Sequence, residues 1–179
     1  MRTLFLDCFS GISGDMAVAA LCDLGVDSHA LSHSLEKLGL SSEFHVHFSR
    51  QIRCGIEGVK FDVHQHQHDH AHAHDHGSHD HGSHDHGSHD HPHTDAPHSH
   101  GRTFREIQTL IERSDLSRFV KERAVAVFRR IAIAEGKIHG MPPEEVHFHE
   151  VGAVDSIVDI VAFCVALEML GTPRVISSQ

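Results

Sequence analysis

Five donor side chains, His147, His149, Glu150, Asp155 and Asp159, fall within thirteen residues of the stretch HFHEVGAVDSIVDIV. Imidazole nitrogen and carboxylate oxygen are ligands that divalent first-row metals accept. In an extended piece His147 and His149 project to one side, and in a following helix Asp155 and Asp159 share a face at i, i+4. That helix is apolar nearly all round, so both carboxylates are expected on a buried element. A buried carboxylate needs a cation or several hydrogen-bond donors, or it gives up its charge. The plainer account makes Asp155 a first-turn residue satisfied by the helix dipole and His147 a core imidazole. Five donors packed this closely favour a metal site instead.

A second constellation opens the chain. Asp7, Cys8, Phe9, Ser10, Gly11, Ile12, Ser13, Gly14 and Asp15 run from a strand end to a helix start. Free backbone N–H groups at such a turn favour phosphate or carboxylate, and Gly11 to Gly14 could cradle one. The spacing is neither a Walker A nor a GxGxxG pattern. Carboxylates repel phosphate unless a divalent ion lies between them, so Asp7 and Asp15 suggest a metal-bridged nucleotide. The plain alternative is a tight turn with Asp15 in the first helical turn.

Residues 64–100 hold sixteen of the twenty-three histidines, with no lysine or arginine and a repeated HDHGS unit. Such a composition reads as metal binding, suited to nickel, copper, zinc or cobalt. With few apolar residues to offset backbone entropy of roughly 1–2 kcal/mol per residue, the tract is expected to be a mobile loop. Its histidines at 64, 66, 68, 70, 72, 74, 76, 79, 81, 84, 86, 89 and 91 form a candidate reservoir (His64, His66, His68, His70, His72, His74, His76, His79, His81, His84, His86, His89, His91).

The other 140 or so residues suffice for one domain with a modest core. The domain reads as two parts, 1–63 and 102–179, separated by the loop at 64–101. The formal charge is −10 with histidine neutral, which disfavours nucleic acid and favours a cation. Cys8, Cys22, Cys54 and Cys164 show no CxxC spacing, and no signal peptide or long apolar run occurs, so a reduced cytoplasmic protein away from membranes is expected. Cys22 and Cys164 lie in helical apolar patterns and read as core; Cys8 reads as packing, with a ligand contact as its alternative.

The elements that must position these groups read as α/β: a small mixed sheet, from an N-terminal strand and a hairpin, packed with several helices. Thr3 to Leu6 reads as a buried strand, and helices follow over Gly14 to Gly25 and from the Asp27 cap to Gly39. Alternation of Phe44, Val46, Phe48 and of Val59, Phe61, Val63, with Gly55 and Gly58 between, predicts a hairpin. It sends His45 and His47 to a polar face, either solvated or bridged by a metal. Thr103 and Glu106 form a capping box. A long helix from about Leu116 to His139 carries Val120, Ala124, Val127, Phe128, Ile131 and Ile138 on its stripe, with Arg129 and Arg130 solvated. Val154 to Leu170 reads as a buried helix, and Arg174 to Ser177 as a strand.

With the Asp7 to Met16 and His147 to Asp159 stretches in hand, joined by a His-rich insertion, the chain resembles the nickel insertion family of nickel-pincer nucleotide biosynthesis. The resemblance implies a lyase-class chelatase step: nickel enters pyridinium-3,5-bisthiocarboxylic acid mononucleotide, nickel–carbon and nickel–sulfur bonds form, and CTP is consumed, with magnesium or manganese accompanying it. It implies a role for Asp7, Ser10, Ser13 and Asp15 in the first motif and for His147, His149, Glu150, Asp155 and Asp159 in the second. Glu150, His149 and Asp15 are the expected catalytic groups, with Glu150 or a histidine removing the ring proton. Ser10, Gly11, Ser13 and Gly14 are the expected binding groups, and Asp7 with the second motif supplies metal ligands. Family members extend well past Gln179, so a second polypeptide is expected to complete the enzyme, and a homo-oligomer is a further possible assembly. The competing reading is a nickel storage or delivery chaperone acting through the His-rich loop. A metal-dependent nucleotide hydrolase is a third, and it would need a basic phosphate site that the sequence does not display.

Overall fold

In the computed structural model the structure describes residues 2–66, 101–148 and 151–178. The expected α/β class is observed: five α-helices accompany a parallel strand pair and an antiparallel hairpin among the described residues. The helix α5, Val154–Met169, is the centre of the packing, set against α1 (Gly14–Asp23), α2 (Ser28–Glu36) and α4 (Arg118–His139). Its Ile157, Val158, Val161, Ala162 and Ala166 are wholly buried, as an all-round apolar sequence requires.

Helix ends follow local chemistry. The Asp27 carboxylate accepts from the His29 and Ala30 amides, at 2.8 and 3.1 Å, and so starts α2. At α3, Phe104–Arg113, the Thr103 hydroxyl accepts from the Glu106 amide while the Glu106 carboxylate accepts from the Thr103 amide, completing the capping box. Thr103→Ala is expected to cost about 1 kcal/mol, read as a lowered midpoint in urea unfolding with unchanged slope.

The hairpin is longer than the sequence pattern suggested. β2, Phe44–Arg53, pairs with β3, Ile56–Gln65, and only Cys54 and Gly55 form the turn. Both have positive φ, 51° and 78°, the geometry whose twist suits a two-residue hairpin. Gly58, expected in the turn, lies within β3. Phe61 and Phe44 face the core, and Phe61 stacks obliquely on Phe48 with centroids 4.9 Å apart.

Three burial expectations need correction. β1, Thr3–Leu6, is not a buried strand: among the described residues it pairs only with β4, Arg174–Ser177, in a parallel pair, and Phe5 is 59% exposed. Two strands present two faces, and helices do not cover both here. On α4 the buried stripe is Val120, Ala124, Phe128, Ala132 and Gly136, whereas Val127 and Ile138 are exposed. Cys22 is half-buried rather than core; Cys164 is core, and burial pushes its thiol up to about 12. Among the described residues no helix is long and apolar enough to cross a membrane.

Candidate functional site

The first turn of α1 and the second turn of α5 meet. Ser13 occupies the N-cap position of α1 without accepting a cap bond, and its hydroxyl turns instead to the Asp15 carboxylate. The Asp15 amide is hydrogen-bonded by the Asp159 carboxylate, which thus caps α1 from another element. Gly14 makes the approach possible. A Cβ on Gly14 would lie 2.6 Å from Asp159 Oδ2 and 2.7 Å from its Cβ, too close for any side chain.

Three carboxylates gather there. Burial pushes the Asp159 carboxyl up to about 6, and the charges of Asp15 and then Asp155 add to the rise; the Asp15 amide only partly offsets them. Asp159 and Asp15 are half-buried, but Asp155 is exposed, which corrects the expectation that both acidic groups of α5 are buried. Asp155 belongs to the first turn of α5, and the wholly buried apolar residues of that helix begin two residues later, at Ile157. The cluster therefore carries more negative charge than its surroundings compensate.

The turn before α1 is open. Asp7, Ser10, Gly11 and Ser13 are exposed, and Gly11 closes the bend by donating to the Cys8 carbonyl at 2.8 Å. The Cys8 amide donates to the Ser178 hydroxyl at 2.8 Å, tying this loop to the end of β4. The Cys8 thiol is half-buried and directed at the Leu6 carbonyl, 3.8 Å away. Since Asp159 already takes the Asp15 amide, a phosphate at this turn would meet carboxylates first. A divalent ion would have to precede it.

His147 occupies a different setting. It forms an isolated bridge with Thr103 at the start of α3, is exposed rather than a core imidazole, and its charge helps hold the Glu106 carboxyl low, after the larger effect of the Thr103 hydrogen bonds. Its neighbour Phe148 is fully buried, donates its amide to the Arg102 carbonyl and packs on Phe128. His149, Glu150 and the reservoir histidines from His68 to His91 lie outside the described residues. His64 is not in a loop but is a β3 residue opposite His45, and His66, the first residue past β3, donates its amide to the Glu43 carbonyl at 2.8 Å.

A cavity of about 300 Å³ lies between α1 and the hairpin, lined by Asp15, Met16, Gln51, Arg53, Lys60 and Phe61 among others. This is within the lower range of small-ligand sites. Arg53 and Lys60 are the cations that sequence reading missed, because a strand pattern does not reveal which helix end its charged residues will face. A larger groove of about 780 Å³ runs between the end of α2 and α3. It contains none of the predicted donors.

The family described as nickel insertion protein matches residues 4–179. Among curated proteins, the chain is similar to a pyridinium-3,5-bisthiocarboxylic acid mononucleotide nickel insertion protein of Geobacillus kaustophilus, with 46% identity over 99% of this chain and 38% of the relative. Proteins of the same description from Lactiplantibacillus plantarum and Clostridium kluyveri are 44% and 42% identical, and each match covers 99% of this chain and 40% of the relative. The chain thus spans about two fifths of the length of these relatives. No solved structure matches it.

Proposed function

Because the chain belongs to the nickel insertion protein family, we propose that it takes part in inserting nickel into pyridinium-3,5-bisthiocarboxylic acid mononucleotide, the compound named in its relatives. Nickel is here a substrate, not a resident cofactor. The observation that carries this reading is the meeting of Asp15, Asp155 and Asp159 beside a cavity that also presents Arg53 and Lys60. Carboxylates need a cation, and the mononucleotide phosphate needs positive partners. Both are supplied within one small site.

Roles follow from donor chemistry. An all-oxygen set suits a hard divalent ion, so magnesium or manganese is the better occupant of the carboxylate cluster, where it would offset charge on a bound nucleotide. Arg53 and Lys60 would hold the phosphate and orient the ring. Glu150 or His149 would take the ring proton that nickel displaces, and Asp7, exposed on the turn before α1, would add to the polar surround. The CTP-dependent part is assigned, as the family resemblance implies, to the portion of the relatives that this chain does not cover. A reducing cytoplasmic setting suits the four free thiols.

The test is anaerobic incubation of the chain with nickel, the precursor and CTP, with and without a polypeptide corresponding to the rest of the Geobacillus relative, reading the nickel-containing product by mass spectrometry. Product is expected in the mixture of both polypeptides. Absence of product from both reactions would contradict the assignment, and product from the chain alone would contradict the division of labour. In the active mixture Arg53→Gln is expected to raise KM for the precursor roughly tenfold with little change in kcat, the signature of a lost ground-state contact.

A further inference from the structure

The polar face of the hairpin carries donors from both strands in direct register. His47 faces Asp62 and His45 faces His64 on alternate rungs, with Val46 and Val63 paired between them, so four chelating side chains share one side of the ladder. One ligand atom from each of His47, Asp62 and His64 lies within 4.8 Å of the other two. Metal–ligand distances of about 2.0–2.2 Å require donors roughly 3–3.5 Å apart. Both imidazoles are exposed, so small side-chain rotations close the set without moving either strand.

A hydrogen-bond chain beside this cluster sets a tautomer. His66 Nδ1 lies 3.0 Å from the Ser42 carbonyl, which only accepts, so in neutral His66 this nitrogen carries the proton. His66 Nε2 is then the acceptor, 3.0 Å from His45 Nδ1, which donates to it. His45 is left with an unprotonated Nε2, the form that binds metals, and its ring stacks on His64 with centroids 5.0 Å apart. Carbonyl partners orient metal-binding imidazoles in this way. Lys60 completes the arrangement: its ammonium holds Asp62 Oδ1 at 2.6 Å, and the same residue lines the Asp15 cavity.

We propose that the outer face of the β2–β3 hairpin binds a divalent transition-metal ion on His47, Asp62 and His64, with His45 as an adjacent donor, and that this site stages nickel beside the Asp15 cavity. The donor set of two or three imidazoles and one carboxylate suits nickel better than the all-oxygen cluster does. Binding stands on the hairpin geometry alone. The staging role rests on the function proposed above, since β3 leads into the His-rich stretch at one end and contributes Lys60 to the cavity.

The test uses the full-length chain with the histidines from His68 to His100 replaced by glutamine, titrated with nickel against a chromophoric chelator. Zinc is titrated in parallel into the unaltered chain carrying 15N-labelled histidine, reading imidazole signals. About one equivalent of nickel is expected to bind, and His45, His47 and His64 are expected among the ring signals that zinc shifts. His47→Ala and Asp62→Asn should each weaken nickel binding tenfold or more. Lys60→Gln should strengthen it about threefold or more, because it removes a positive charge from beside the ion. The amide spectra of the variants establish that they fold. No bound equivalent, or affinity indifferent to both His47→Ala and Asp62→Asn, would overturn the site. If His47→Ala weakens binding while product formation at limiting nickel is unchanged, the staging role is overturned and the site stands. If the unaltered chain yields no product under any condition, the proposed function fails, and the titrations still decide the site.

Discussion

At pH 7, replacing Asp159 with asparagine is expected to raise the melting temperature by roughly 3–8 °C while lowering product formation in the proposed two-polypeptide reaction about a hundredfold or more. The Asp159 carboxyl is pushed up to about 6 in the folded chain from the ordinary 3.8 of an aspartate, chiefly by burial and then by the charges of Asp15 and Asp155. A raised pKa means that the folded state holds the proton more tightly than the unfolded one. The stability linked to this group is therefore complete below about pH 4 and is lost as pH rises through about 6. The full shift corresponds to about 3 kcal/mol, and half-burial of the side chain reduces this to about 1–2 kcal/mol. Asparagine keeps the oxygen that accepts from the Asp15 amide and removes the charge. Its advantage should vanish near pH 4, where the wild-type carboxyl is itself neutral. Calorimetry at pH 4 and pH 7 checks this; equal melting shifts at both values would refute the linkage. A residue that weakens the fold in its working state and is needed for turnover is held for binding, not for packing.

Gly14→Ala is the second large effect. The added methyl would sit 2.6 Å from Asp159 Oδ2, so α1 must retreat from α5 or the carboxylate must leave the helix end. Either outcome is expected to cost about 1–3 kcal/mol and to abolish product formation in the proposed two-polypeptide reaction, although alanine is the better helix former. A double-mutant cycle isolates the cause. In an Asp159→Gly background the same Gly14→Ala change should lose most of its cost, measured by urea unfolding. An undiminished cost there would mean that contact with Asp159 is not what Gly14 permits.

Features set by neighbours in sequence were readable from the chain. The Asp27 cap and the Thr103–Glu106 box depend on residues two or three apart, and both appear at the expected positions. Features set across the chain were not. An apolar run at Thr3 to Leu6 announces a strand but not how many of its faces will be covered, and Phe5 proved to be largely exposed. Val127 and Ile138 fit a helical stripe within the tolerance of a 3.6-residue repeat, yet the narrower stripe through Ala124, Phe128 and Ala132 makes the contact. The strand β3 continues through His64 because Phe44 pairs with Gln65, and composition alone assigned that residue to the His-rich loop. At the candidate site, Asp15 and Asp159 were recognisable as donors. Their meeting through a bare Gly14 was not, since a close approach leaves no pattern in one-dimensional order. Arg53 and Lys60 were invisible as site residues for the same reason.

The most direct test of the account is a pH titration of the Asp159 side chain by carboxyl 13C NMR, with and without saturating magnesium, which the imidazoles of the His-rich stretch bind poorly. The account predicts a midpoint near 6 without the ion and a clear downward displacement when it is present. A midpoint near 3.8, unmoved by magnesium, would contradict a carboxylate cluster that requires a cation.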